Sequence, residues 1–340
     1  MTKNRYIGLD YVRGISALSV AICHYLMRID PLPAYELIAA IAVEAFFPLS
    51  GFVLAKQITR ITQTRRDLRV FLVRRWMRTI PPYIVALITT SVFLDQLFTR
   101  EFVGYLFFIN YVNLNIDIQD FYPVAWSLAI EEWYYILFPA FLIVMTIKAV
   151  RRTQLLTFAL MFIVFFLLVR LGLFYSEDST LLRTGTFVRL DAIAIGFIFY
   201  IAFNEENRHR GLIAILLISS VILLIYLLGR NSTIGPILGT QIFLLVMPVF
   251  FGALIATLTR LEKIINHYYR YHSLVENIGL WLGRISYSIY LFHLIIIYLF
   301  FSEPDVQDLP LFLLVLSTFC TVFYWLFEKP ILEKRPRYKT

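Results

Sequence analysis

The sequence predicts an all-α, polytopic membrane protein of about ten transmembrane helices, with both termini cytoplasmic. Three observations predict it. Apolar segments of about twenty residues, the length a helix needs to cross a bilayer, recur along the whole chain. These runs are continuous, where the strands of a membrane barrel would alternate. Basic residues gather in alternate connections, as the positive-inside rule requires. With 59% hydrophobic and 17% aromatic residues and a mean hydropathy of +0.73, there is no room for a sizeable extramembrane domain. Residues 1–340 are therefore read as one membrane-embedded domain.

The spans fall at about 7–28, 35–56, 79–95, 124–147, 154–174, 183–203, 211–228, 234–258, 278–300 and 309–327. Met1–Arg5 looks like a signal-peptide n-region, but Arg13 interrupts the apolar part and no small-residue cleavage site follows. A retained first helix is expected. The connection between spans two and three holds Lys56, Arg60, Arg65, Arg66, Arg69, Arg74, Arg75 and Arg78. The opposite connections are neutral or acidic: SEDST at 176–180, NST at 231–233 and SEPDVQD at 302–308. The net charge of +8 thus reads as topology rather than nucleic-acid binding. Cys23 and Cys320 both lie in spans and suggest neither a disulfide framework nor a metal site. Residues 96–123 hold FVGYLFFINYV, too short to span comfortably, and then the polar NLNIDIQD; they are expected to form an outer loop with an interfacial or re-entrant piece.

The first span carries Arg13 and His24. Their eleven-residue step is close to three helical turns, so they share a face roughly 16 Å apart along the axis. Ionisable groups in a bilayer are costly and tend to mark a pathway or a reaction site. Span two contributes Glu44. Just before span three, Arg75 and Arg78 share a face, and Pro81 and Pro82 should bend or restart the helix. In span four, Ser127, Glu131 and Tyr135 recur at four-residue steps, while Glu132 points elsewhere. Arg189 and Asp191 in span six stand two apart and cannot pair directly. Span nine holds Arg284 and then Ser286, Tyr290 and His293 on one face; such an aromatic stripe is more often packing than chemistry. His209, His267 and His272 are expected in cytoplasmic loops.

Depth follows from orientation. Positive charge should gather inside (Arg13, Arg75, Arg78, Arg284) and an acid–base cluster outside (His24, Glu131, His293). A carboxylate such as Glu131 could then orient a histidine. No phosphate loop, dinucleotide fingerprint or zinc helix is present. These residues suit an enzyme with a histidine base. They equally suit a transporter or channel for a small anion or lipid-linked sugar, although no inverted repeat is visible.

Seven stretches in order narrow this choice: LDYVRGISALSVAICHY, FFPLSGFVLA, RRWMR, WSLAIEEWYY, VRLDAIAIG, GRISYSIYLFH and EKP. The chain resembles the acyltransferase type 3 family of integral membrane proteins, many of which acylate bacterial surface sugars. Pro48 and Trp133 depart from the family pattern. Members often carry a fused extracytoplasmic hydrolase-like domain, and a stand-alone form is expected here. The resemblance implies a multi-pass protein of the bacterial cytoplasmic (inner) membrane. Its donor would be acyl-CoA, foremost acetyl-CoA, and its acceptor a saccharide or glycolipid such as a surface polysaccharide or lipopolysaccharide. Membrane lipids would be its surroundings; no bound cofactor, metal or nucleic acid is implied. By resemblance, Arg13 and His24 carry transfer, and Arg75 and Arg78 meet the acyl donor. The depth reading adds Glu131 as the orienting partner of His24 and Arg284 to the donor-facing arginines. Trp126, Ser127, Ser286, Tyr290, His293, Ser50 and Glu44 remain as acceptor-binding or supporting residues.

Overall fold

A computed structural model describes residues 6–65, 67–112, 121–146, 151–172, 179–203, 209–229, 236–268 and 273–338. It is 87% helical, with no strand among the described residues. The helices are α1 (Ile7–Ile29), α2 (Pro33–Thr64), α3 (Leu68–Phe93), α4 (Arg100–Leu106), α5 (Ala125–Met145), α6 (Arg152–Gly172) and α7 (Ser179–Thr184). They continue with α8 (Leu190–Phe203), α9 (His209–Gly229), α10 (Pro236–Tyr268), α11 (Ser273–Phe300), α12 (Leu309–Phe323) and, after one π-helical stretch, α13 (Lys329–Glu333). Eight helical stretches among the described residues are long and apolar enough to cross a membrane. With α3, apolar only beyond Arg78, and α9, apolar over Gly211–Leu227, they match the ten expected spans.

The helix ends differ from expectation. The third helix begins at Leu68, so RRWMR lies inside it rather than before it, and Pro81 and Pro82 do not interrupt it. Likewise α2 runs through Pro48 to Thr64, and α10 continues to Tyr268 and takes in His267. His209 opens α9; His272 and the 231–233 connection lie outside the described residues. Charge ends a hydropathic span, but it does not end a helix whose backbone bonds are internal. Of the 96–123 region, residues 113–120 lie outside the described residues. The rest holds the short α4, whose N-terminus is capped by Thr99 accepting from Phe102 N at 3.2 Å. Tyr83 OH donates to Tyr105 O and Trp133 Nε1 to Phe108 O, tying the segment to α3 and α5.

Inside a membrane, helices associate through close packing rather than through water exclusion. Here α1 packs between α2 and α11, while α8 is surrounded by α2, α6 and α10. A Cβ on Gly51 would overlap the carbonyl oxygen of Ile193, and one on Gly196 that of Pro48, so glycine lets the α2 and α8 backbones meet. The first turn of α1 has no side-chain cap of its own. Buried Glu262 of α10 supplies one, accepting from Ile7 N at 2.7 Å and Gly8 N at 2.9 Å. Such a carboxylate at a partly buried helix N-terminus contributes up to about 2 kcal/mol. At the C-terminus of α8, Arg152 donates to the carbonyls of Ile201 and Ala202, and Arg260 to that of Phe203. Tyr6 packs near Lys263 and Tyr338 between Arg60 and Arg74, so both described chain ends sit at the basic end of the bundle.

Candidate functional site

At that basic end a cavity of about 170 Å³ opens between α1, α2, α3, α5 and α11. Arg13, Arg75, Arg78 and Arg335 line it together with Ser50, Ser127, Glu131, Tyr135, Ser286, Tyr287 and Tyr290. A second cavity, of about 330 Å³, shares Arg13, Arg78 and Arg335 and adds Asp10, Arg284 and Glu328. Helical spacing explains the lining: Arg75 and Arg78 are three apart, and Ser127, Glu131 and Tyr135 four apart. Around the two cavities five arginines face three carboxylates, and those carboxylates are already engaged. Glu131 accepts from Ser50 Oγ at 2.8 Å and from Tyr135 OH at 2.6 Å. Glu328 accepts from Ser288 Oγ, and Asp10 lies 3.5 Å from Arg13. The surplus is positive, with guanidinium forks suited to phosphate oxygens.

The C-terminal segment folds over this mouth. Arg74 Nη1 donates to Pro336 O at 2.6 Å. The Tyr338 hydroxyl donates at 3.0 Å to Gln57 Oε1, which Arg75 also reaches at 3.4 Å. Arg335 is thereby held beside the other arginines. Burial, then the charges of Arg78, Arg74 and Arg75, push it down from the usual arginine value to about 10.

The histidines stand apart. His24 lies in the last two turns of α1, and His293 is fully buried on α11. His24 Nδ1 and His293 Nε2 are 2.8 Å apart. Neither cavity is lined by His24; Tyr290 connects the two regions. Its hydroxyl is 2.7 Å from Ser127 Oγ at the cavity wall, and its ring centroid lies 6.2 Å from that of His293. Beyond His24, Tyr25 OH donates to Asp305 O, which places this end of α1 at the acidic connection, opposite the arginines.

The structure therefore brings together Arg13, Arg75, Arg78, Ser50, Ser127, Glu131, Ser286 and Tyr290, with Arg284 in the adjoining cavity. It pairs His24 with His293. It does not place Glu131 beside His24: that carboxylate lines the arginine cavity, and the side chain in hydrogen-bond contact with His24 is His293. The expected acid–base cluster is thus divided, because the Glu131 side chain is held by the hydroxyls of Ser50 on α2 and of Tyr135, one turn further along α5. Trp126 packs edge-on against Phe47, and the Arg183 guanidinium lies 5.8 Å from its ring.

Glu44 belongs elsewhere again. It accepts from Arg189 Nη2 through both oxygens, at 2.7 and 2.5 Å. Asp191, as its spacing from Arg189 requires, finds a different partner, Arg170, at 2.9 Å. Arg170 and Arg335 were the residues sequence reasoning missed. The first ends an apolar run like an interfacial arginine, and the second sits in a basic tail that reads as topology.

The comparisons agree with this architecture. The chain is 26% identical over 365 residues to the O-acetyltransferase OatA of Staphylococcus aureus (strain NCTC 8325 / PS 47), covering 98% of this chain and 58% of that protein. It is 26% identical over 316 residues to the peptidoglycan O-acetyltransferase OatA of Listeria monocytogenes, covering 79% of this chain and 49% of that protein. The chain thus spans about half the length of these relatives. No solved structure matches it. The family described as an acyltransferase domain matches residues 6–329, almost the whole described bundle, and this multi-pass membrane protein belongs to the acyltransferase type 3 family.

Proposed function

We propose that the protein is a membrane O-acyltransferase. It moves an acyl group, acetyl foremost, from cytoplasmic acyl-CoA to a hydroxyl of an extracytoplasmic or lipid-linked saccharide. The observation that carries this reading is the arrangement along the bundle axis. A cavity with surplus arginine lies at one end, a histidine pair toward the other, and Ser127 and Tyr290 lie between them. In this reading the basic end faces the cytoplasm, with both termini there. The anionic phosphates of CoA meet Arg75, Arg78 and Arg335, and the thin pantetheine arm enters the bundle toward Tyr290. His24 takes the proton of the acceptor hydroxyl as its oxygen attacks the thioester carbonyl. The new C–O bond forms, the C–S bond breaks, and the departing CoA thiolate recovers that proton. The names of the relatives support acetyl as the group and a saccharide, of the peptidoglycan type, as the acceptor.

The test is transfer of radiolabel from acetyl-CoA by purified protein in liposomes, offered bacterial glycolipids and peptidoglycan precursors. Wild type should label an acceptor, while His24→Ala folds but loses transfer by about 10²–10⁴-fold. A His24→Ala variant with full transfer would sink the assignment of the base. Neither transfer nor CoA binding in wild type would turn the reading toward a transporter.

A further inference from the structure

We infer that His293 is a positioning residue that holds His24 in one tautomer, with Nδ1 protonated and Nε2 bare. This rests on the proposed role of His24 as base and says which of its atoms acts.

The argument is one of proton counting. His293 Nδ1 lies 2.9 Å from the carbonyl oxygen of Tyr290 and 3.1 Å from that of Ile289, both on its own helix. Carbonyl oxygens only accept, so His293 Nδ1 must carry the hydrogen. A neutral imidazole has a single N–H, which leaves His293 Nε2 as a lone pair. That lone pair faces His24 Nδ1 at 2.8 Å, and the proton between them can then come only from His24. The alternative, an imidazolium at His293, would bury a charge in a fully enclosed site. Among the described residues no carboxylate hydrogen-bonds His293. The ring centroids are 5.0 Å apart with planes inclined by 28°, so the imidazoles meet edge to edge and the N–H points along the lone pair.

His24 Nε2 is consequently the basic nitrogen, and among the described residues it has no hydrogen-bond partner. His24 is itself only partly buried, so an acceptor hydroxyl can approach it from the acidic end of the bundle. When Nε2 takes up the hydroxyl proton, the new positive charge is shared through Nδ1–H with the His293 lone pair. His293 needs no proton transfer of its own. A base oriented by a third group is the logic of catalytic triads, with a neutral imidazole here in place of the carboxylate. Helix α11 thereby reaches the chemistry through a group that touches no substrate.

The experiment uses full-length protein in nanodiscs with ¹⁵N-histidine, His24 being assigned by comparison with His24→Gln. The expected result, without substrate, is a pyrrole-like Nδ1 and a pyridine-like Nε2 for His24, and the same pattern for His293. Protonated Nε2 on His24 in wild type would overturn the proposal whatever the activity. In parallel, His293→Leu fills the space without an acceptor and should lower kcat on the order of 10²-fold at unchanged KM for acetyl-CoA. His293→Gln, which retains an acceptor oxygen, should recover about a tenth of wild-type kcat or more. Wild-type kcat in His293→Leu would overturn the positioning role. Full transfer by His24→Ala would overturn the base assignment and this role with it, and it is read separately from the tautomer.

Discussion

Two groups of arginines lie within this bundle, and the protein treats them in opposite ways. Arg170 and Arg189 are fully buried, and each is matched by a carboxylate, Asp191 and Glu44. Gln241 and the Val188 carbonyl accept further hydrogen bonds from Arg170. Two cations and two anions leave no net charge among α2, α6 and α8. Around the cavities, five arginines outnumber the three carboxylates, and one of these, Glu131, is held by hydroxyls. The difference teaches how to read an intramembrane arginine. Its residue type says only that something must balance it. Whether the protein supplies that balance separates a structural pair from a binding site.

The comparison breaks most visibly if one member of the balanced set is removed. Glu44→Ala leaves Arg189 buried and uncompensated, a change that costs about 3–5 kcal/mol. Folded yield and thermal midpoint in detergent should fall sharply, and Arg189→Ala should do the same. Glu44→Leu combined with Arg189→Met should recover most of the loss, because apolar side chains of similar size replace a buried pair at little cost. Single variants that fold like wild type yet abolish transfer would move these residues from the structural to the functional group.

Removing one of the surplus cations should do the reverse. Arg78→Ala is expected to fold normally, since it relieves repulsion from Arg335 and breaks no buried pair of the balanced kind. It should weaken CoA binding by about 10- to 100-fold, the loss of a charge-assisted contact of about 1.5–3 kcal/mol. Calorimetry with CoA, repeated at rising salt, checks it. A variant that binds CoA normally would mean that the surplus faces some other anion.

How much of this was legible in the sequence depends on the range of the interaction. The ten spans were, because each is a local property of about twenty residues. So were Arg75 with Arg78 and Ser127 with Glu131, because helical spacing fixes a face. What spacing cannot fix is which face of another helix stands opposite. Glu131 was expected near His24 because both lie toward the same end of their spans, yet its partners are Ser50 and Tyr135. His24 and His293 are 269 residues apart, and only the packing of α1 on α11 brings them into contact. The start of α3 at Leu68 was hidden for a different reason. Its first turns are charged, and hydropathy records where a helix meets lipid, not where its hydrogen bonds begin.

Arg335 offers the finest probe of the surplus, and the smallest effect. Its charge is held against burial and three neighbouring arginines, which is why it titrates near 10. A base whose folded-state value is lowered opposes folding while it is charged. The cost is present in full at neutral pH and fades only as pH rises above about 10 toward the usual arginine value. Arg335→Gln should therefore raise the thermal midpoint of the ligand-free protein at pH 7. The gain is on the order of 0.5 kcal/mol, because the side chain is half-buried and solvent screens it. Saturating CoA should erase that advantage or invert it, since the bound phosphates neutralise the same repulsion and Arg335 then becomes a partner. A thermal series at pH 7 with and without CoA reads both signs. If Arg335→Gln were less stable than wild type without ligand, the C-terminal segment would be held by Arg335 rather than strained by it. The mouth of the cavity would then be closed by structure, and its positive surplus would rest on Arg13, Arg75, Arg78 and Arg284 alone.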